Sequence, residues 1–187
     1  MQSAAEPSFA NEQLRVRYVA LIDAVRDLAC ELDEPQQDGD VLAIEHGLEL
    51  AHRMVGAAQI DNLARIEAGR LHRIDGHRSV KAQVGHVLKL APEEAGRRAK
   101  AARGLRELPE GAAALRSGRI GLGHVHVLVR VQANPRIKDK VPGQQKRFLR
   151  WAATKSFDDF KLKVLDWERN TDLDGGFKDN ERNHENR

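Results

Sequence analysis

The chain has 187 residues, which is long enough to bury one good-sized hydrophobic core or two small ones. A single cysteine, Cys30, excludes an internal disulfide, and no apolar run approaches the ~20 residues that a membrane span needs. Residues 1–10 contain Glu6 and Pro7 and no apolar run, so no signal peptide is predicted. We therefore expect a cytoplasmic protein without a membrane partner.

The charge is distributed unevenly along the chain. Residues 1–69 carry 5 Lys or Arg against 13 Asp or Glu, whereas residues 70–106 carry 10 against 3 and residues 107–187 carry 16 against 12. This split favours an acidic helical platform joined to a basic element that could meet phosphates. The alternative is that the two regions neutralise each other within the fold. Aromatic residues are scarce (five Phe, two Trp and one Tyr), which argues against single-strand binding by base stacking.

Two long helices are predicted first. The first spans about 11–32, where an apolar stripe recurs at steps of three and four residues. Proline and glycine in residues 33–39 break it, and a second helix is expected from an N-cap at Asp40 to about residue 74. The pair could form an antiparallel hairpin or a coiled-coil dimer. The stripes consist of Leu14, Tyr18, Leu21, Val25, Leu28 and Leu32 in the first helix, and of Ile44, Leu48, Ala51, Val55 and Ala58 in the second.

A helix-turn-helix-like pair is predicted next. A short helix at 79–90 has Val80, Val84, Val87 and Leu88 on one face, and Pro92 opens the following helix. In that second helix Ala95, Ala99, Ala102 and Leu105 form the apolar face. At 100° per residue, Arg97 and Lys100 point away from this face, while Arg98, Arg103 and Arg106 lie on its flanks. A recognition helix needs this arrangement, with donors directed toward the groove.

The remaining chain predicts further helices and an all-α fold. Helices are expected at 109–117, 122–133, 144–154 and 157–170, with a linker at 135–143. We expect a disordered segment at 1–10, a helical domain at 11–171 and a polar tail at 172–187. Within the domain, 11–76 is the hairpin, 77–134 the helix-turn-helix-like core and 144–170 the C-terminal helices.

Several motifs in order resemble the 13E12-repeat family, a bacterial domain of unknown function that is frequently fused to a C-terminal HNH nuclease domain. The resemblance covers roughly residues 40–187. It implies a non-catalytic module, because this chain stops before an HNH motif; it is either a fragment or a natural short form. The motifs are DGHRS at 75–79, LRELP at 105–109, ANPR at 133–136, FDDF at 157–160, WE at 167–168, DLDG at 172–175 and HENR at 184–187.

A shorter stretch, about 79–131, is similar to the DNA-binding region of ParB-type partition proteins. It comprises the helix-turn-helix-like pair, the LRELP segment and LRSGRIGLGH at 115–124. Ala91 departs from the Ser or Thr that often caps the recognition helix in that family. The resemblance implies DNA binding.

No catalytic, cofactor or metal site is predicted. His124 and His126 are two residues apart on a helix, about 200° of rotation, so they face opposite ways and cannot chelate together. His184 and Glu185 are not followed by a second histidine or a carboxylate cluster. Cys30 lies close to the apolar stripe of the first helix, where burial is expected.

The predicted partner is double-stranded DNA, with a homodimer through the long N-terminal helices as a second expectation. Phosphate contact and some base-edge contact are expected from the basic helix, and backbone contact from the helix before it. The alternative for the basic residues is a solvated face of ion pairs, and the alternative function is an oligomerisation or interaction scaffold that binds no nucleic acid. The candidate DNA-binding residues are Lys81, Gln83, Arg97, Arg98, Lys100 and Arg103.

Overall fold

The computed structural model describes residues 9–172. Within this range the chain forms eight α-helices and no strand, which confirms the all-α prediction. The predicted polar tail, including His184 and Glu185, lies outside the described residues from 173 onward, as do residues 1–8 of the predicted N-terminal segment. The helices are α1 (Glu12–Glu31), α2 (Asp38–Ala68), α3 (Val80–Val87), α4 (Pro92–Gly104), α5 (Pro109–Arg116), α6 (Leu122–Gln132), α7 (Gln145–Thr154) and α8 (Phe157–Thr171).

The chain divides into two compact units, residues 1–47 and 48–187, with the boundary inside α2. In the first unit Asn11 caps α1: its side-chain oxygen accepts a hydrogen bond from the Leu14 N–H at 3.2 Å. The rings of Phe9 and Tyr18 lie 5.2 Å apart. No residue of α1 is buried. Cys30 is exposed, so the expectation that it is buried was wrong: the stripe beside it has no core to enter.

The core of the second unit is built around α6. Val125, Leu128 and Val131 on this helix are buried, and α6 packs against α4, α5 and α8. Phe148 of α7 and Phe160 of α8 are the largest fully buried side chains. Because α6 is enclosed on several sides, it fixes the position of α4, the helix that carries most of the candidate DNA-binding residues.

Helix α2 differs from its predicted bounds at both ends. It begins at Asp38, so Asp40 lies in its first turn and is not its N-cap. It ends at Ala68, because Arg70 adopts a left-handed φ of 54° that an α-helix cannot accommodate. A short 3₁₀ turn at Leu71–Arg73 follows, and Leu71 and Ile74 are exposed. The hairpin arrangement of 11–76 stays a prediction.

Residues 135–143 are anchored to the core by two buried side chains and are not the linker that the prolines and lysines suggested. Ile137 and Val141 are 2% and 0% exposed, and 3₁₀ turns at Lys138–Lys140 and Pro142–Gln144 carry the chain between α6 and α7. Burial of these two apolar side chains holds the segment against the core. This segment also brings Lys138 beside α6.

Gly118 ends α5 in a Schellman arrangement. Its N–H donates to the Leu115 carbonyl at 2.9 Å, and the Arg119 N–H donates to the Ala114 carbonyl at 2.9 Å. The φ of Gly118 is +71°, and a Cβ built on it would lie 2.2 Å from Leu50 Cδ1. The position therefore requires glycine for its backbone conformation, whereas the close atom is the end of a flexible side chain.

Gly118→Ala is expected to lower the free energy of unfolding by about 1–2 kcal/mol, because alanine is strained at this φ. The Leu50 methyl group can rotate away, so the clash adds little to that figure. The measurement is urea unfolding followed by circular dichroism. Gly143→Ala, where the added Cβ would meet nothing within 4 Å, is the control and should be close to neutral. Equal stability of both variants would contradict the prediction.

Candidate nucleic-acid interface

The predicted pair of helices is present as α3 and α4. Ser79 caps α3, and its Oγ accepts a hydrogen bond from the Ala82 N–H at 3.2 Å. Val80 and Val84 are buried, but Val87 and Leu88, at the C-terminal end of the predicted apolar face, are exposed. The reason is that α3 ends at Val87 and Lys89 turns the chain with a φ of 53°.

The alanine face of α4 is confirmed. Ala95, Ala99 and Ala102 are 1%, 4% and 2% exposed, and Leu105 just after the helix is 7% exposed. A Cβ built on Gly85 of α3 would lie 3.7 Å from the Ala95 Cβ, an ordinary contact. The small side chains therefore let the two helices pack closely, which leaves the opposite side of α4 to its polar residues.

Arg97 and Arg98 share one carboxylate, that of Glu94. The Arg97 Nη2 lies 2.8 Å from Glu94 Oε2, and the Arg98 Nε lies 2.7 Å from Glu94 Oε1. Hydrogen bonds from Arg98 and then from Arg97 hold the pKa of Glu94 below its usual value. The Arg98 Nη1 also donates to Gln59 Oε1 of α2 at 3.3 Å, so Arg98 is directed toward α2.

Further cations of this region pair with α2. The Arg103 Nε donates to Glu67 Oε1 at 2.6 Å, and the Arg106 Nη2 donates to the Ala64 carbonyl at 2.9 Å. The pairing of Arg103 with Glu67 agrees with the alternative interpretation, in which the acidic and basic segments neutralise each other. The Arg103 side chain is still 54% exposed, which leaves donors for a second partner.

The two candidates on α3 are placed differently from each other. Lys81 is exposed, and its side chain extends to α4. A Cβ built on Gly96 of α4 would lie 3.6 Å from the Lys81 Cε. Gln83 is half-buried and donates to Asp75 Oδ2 at 3.1 Å. Lys81 therefore lies beside the first turns of α4, whereas Gln83 is directed to the turn before α3.

A cavity of about 760 Å³ lies between α4, α6 and the 138–140 turn. It brings Arg97, Lys100 and Arg103 together with Arg130 and Lys138, and Lys100 and Lys138 form no ion pair with any residue in 9–172. We call this the cationic cavity. Its lining residues are Arg97, Lys100, Arg103, Gly104, Glu107, His126, Val129, Arg130, Gln132, Ala133, Lys138 and Asp139.

The width of the cationic cavity depends on a close crossing of α4 and α6. A Cβ built on Gly104 would lie 2.5 Å from Val129 Cγ1 and 2.7 Å from Val129 Cγ2. Only glycine fits here without displacing α6. The crossing thus places the basic side of α4 next to His126 and Arg130 of α6, which were not among the candidate DNA-binding residues.

His126 lines the cationic cavity, a position that the sequence did not reveal. Its Nε2 is buried and has no hydrogen-bond partner within the described range, and the same is true of Gln132 Oε1. Burial, and then the charge of Arg97, lower the pKa of His126, while Glu94 opposes that effect. The sequence could not place His126 in the cavity, because that placement depends on which side of α6 faces α4.

His124 faces away from His126, as the helical rotation predicts. Its Nδ1 accepts a hydrogen bond from the Gly121 N–H at 3.4 Å, and its ring lies 4.9 Å from that of Phe160. Burial lowers the pKa of His124, with a smaller effect from Arg53. Between residues 9 and 172, no group of three or more metal-ligating side chains is arranged to hold an ion.

A family model, described as a domain of unknown function (DUF222), matches residues 42–185. The chain belongs to the DUF222 family. The DUF222 match includes α3 to α8 and most of α2, hence every candidate DNA-binding residue, whereas α1 precedes it. Searches of curated proteins and of solved structures found no match. Among the described helices of this DUF222 protein, none is long and apolar enough to cross a membrane.

Proposed function

We propose that the DUF222 domain binds double-stranded DNA through the cationic cavity and the exposed side of α4. The observation that supports this most is the convergence on one cavity of five cations from three chain segments. Three of them, Arg97, Arg103 and Arg130, are each paired with a glutamate. Phosphate groups on a duplex backbone match this charge and account for most of the affinity in such complexes. Lys100 and Lys138, which have no partner among residues 9–172, are the first donors that an incoming phosphate would meet.

An arginine of α4 can contribute to DNA binding by exchanging its glutamate partner for a phosphate or a base. Among residues 9–172 Arg97 is bound only to Glu94, and its side chain is 55% exposed, so its guanidinium can turn to a phosphate or to a base edge at modest cost. Arg98 is 21% exposed and is held by both Glu94 and Gln59. We therefore assign Arg97 and Lys100 to DNA contact and assign Arg98 to the support of Glu94.

The sequence resemblances support a positioning role. DUF222 domains commonly precede HNH endonucleases. The motifs that resemble the 13E12-repeat family and ParB-type proteins favour the same role. In a longer relative, a DNA-holding module would fix the duplex while the HNH domain cleaves it. The function assigned to residues 42–185 is thus binding and orientation of the duplex.

Binding of a random-sequence duplex should weaken steeply with salt. If Arg97, Lys100, Lys138 and Lys81 each contact one phosphate, the logarithmic slope is about −3.6, so affinity falls on the order of a hundredfold between 50 and 200 mM salt. Fluorescence anisotropy of a labelled duplex measures this. Absence of binding at the lower salt concentration would refute the proposal.

The double variant Arg97→Ala/Lys100→Ala should bind the duplex about tenfold more weakly at low salt, with a slope reduced by about two units. The control is Lys155→Ala/Lys161→Ala, which removes two exposed cations that do not line the cationic cavity. A nonspecific effect of net charge would weaken both variants equally. Unchanged affinity in the first variant would refute the assignment of α4.

A scaffold that forms oligomers without binding nucleic acid is the second candidate function. The observation that favours it is the apolar stripe of α1, of which no residue is buried. Light scattering separates the candidates: a strict monomer that binds DNA supports the first, and an oligomer without DNA affinity supports the second. A monomer without DNA affinity would exclude both.

A further inference from the structure

The apolar stripe of α1 is largely exposed to solvent. Leu14, Leu21 and Val25 are 56%, 47% and 59% exposed, and Tyr18 and Leu32 are 38% and 39% exposed. Scattered apolar side chains on a surface are normal, but a continuous stripe along a helix of 20 residues marks a contact surface. The question is which partner covers it.

The spacing of the stripe fits a second copy of the same helix. The six positions alternate in steps of four and three residues, which is the seam of a coiled coil. The steps are also symmetric about Asp23. If a second α1 lies antiparallel with its Asp23 at the same level, each seam residue meets an apolar one. The pairs are Leu14 with Leu32, Tyr18 with Leu28, and Leu21 with Val25.

The charges beside the seam select the antiparallel orientation. Arg17, Ala24 and Glu31 are seven residues apart and therefore lie on one flank of the stripe. In the antiparallel pair this flank meets itself, so Arg17 faces Glu31 of the second copy, and the contact occurs twice. The axial offset is two residues, about 3 Å, which both side chains can span. In a parallel pair Arg17 would face Ile22 and Glu31 would face Gln36, with no charge pairing.

The two residues are available for this contact. Arg15 pairs with Glu12 and Arg26 pairs with Asp23 within α1, whereas the side chains of Arg17 and Glu31 form no ion pair among residues 9–172. A second copy satisfies both charges and covers the seam at once. Helix α1 precedes the matched range 42–185, so the residues of this pairing lie outside the DUF222 domain.

We infer that α1 is a dimerisation helix that pairs antiparallel with α1 of a second copy of this chain. The inference does not depend on DNA binding, since none of its residues lines the cationic cavity. If both hold, one dimer carries two duplex-binding surfaces, and avidity follows from the pairing of α1.

Charge exchange across the flank tests the orientation. Arg17→Glu places an acidic side chain against Glu31 of the second copy, and Glu31→Arg places two arginines together. Each single variant should form homodimers about tenfold more weakly than the parent chain, because two attractive contacts become repulsive. A mixture of the two single variants should form heterodimers with at least parental affinity. Sedimentation of the full chain between roughly 5 and 200 µM covers the range expected for a helix pair of under three heptads.

The seam itself is tested with Leu21→Asp, which should leave the chain monomeric over the same concentrations. Leu162→Asp on α8, also an exposed leucine (58%), is the control and should not change the mass. Circular dichroism should show the same melting transition for the core of both variants, because no residue of α1 is buried and Leu162 is exposed. A monomeric parent chain, or a mixture of charge variants without preference for heterodimers, would overturn the inference whether or not the chain binds DNA.

Discussion

Gly104→Ala is expected to lower the free energy of unfolding by about 2 kcal/mol, although alanine is the better helix former. The added methyl group would lie 2.5 Å from Val129 Cγ1 and 3.0 Å from Val129 Cβ. Valine is β-branched and has few alternative rotamers on a helix, so it cannot yield by rotation alone. The strain must instead separate α4 from α6, which would also widen the cationic cavity.

Gly96→Ala is the matched control, because it is the same change on the same helix. The atoms nearest to its added Cβ belong to the flexible Lys81 side chain, at 3.6 Å or more, so a gain of up to about 1 kcal/mol is expected from helix propensity. Thermal and urea unfolding measure both changes. Adding Val129→Ala should make Gly104→Ala much less costly than it is in the parent chain. Changes of opposite sign in the free energy of unfolding for the two substitutions support the close crossing of α4 and α6. A stabilising Gly104→Ala would contradict it.

Most of the helices could be predicted from the sequence because local signals specify them. The alanine face of α4 recurs every three or four residues, and Pro92 marks where that helix begins. Local signals failed where the outcome depends on one backbone angle. The left-handed conformation of Arg70 ends α2 six residues before the predicted position. The sequence did not predict it, because position 70 is not a glycine, the residue that usually adopts this conformation.

Only the residues that α4 contributes to the candidate interface could be predicted from the sequence. The helical rotation of α4 identifies Arg97 and Lys100, since it depends on positions within one helix. The same rotation cannot identify the residues of other segments that lie beside Arg97 and Lys100. Glu67 pairs with Arg103 across 36 residues of chain, and His126 and Lys138 reach the cationic cavity only through the packing of α6 and the 138–140 turn. Charge counting likewise cannot tell a paired arginine from an unpaired lysine.

The buried glutamine Gln145 shows how such long-range contacts hold the fold that presents this interface. Helix α5 begins at Pro109, and its N-cap residue, Leu108, offers no side-chain acceptor to the N–H groups of the first turn. Gln145 of α7 supplies one: its Oε1 accepts a hydrogen bond from the Gly111 N–H at 3.0 Å. Its Nε2 donates to the Pro142 carbonyl at 3.2 Å. One side chain, 4% exposed, thus joins α5, α7 and the turn before α7.

Gln145→Met should lower the free energy of unfolding by about 2–3 kcal/mol, because methionine fills the space but leaves the Gly111 N–H and the Pro142 carbonyl without that partner. Urea unfolding gives the value. The control is Gln59→Met, the same substitution at an exposed glutamine whose hydrogen bond to Arg98 is 3.3 Å long, and we expect a change within about 0.5 kcal/mol there. If the two substitutions cost the same, Gln145 acts only by filling volume and is not the remote cap of α5. A large loss at Gln145 alone shows that the start of α5 depends on a residue 34 positions away.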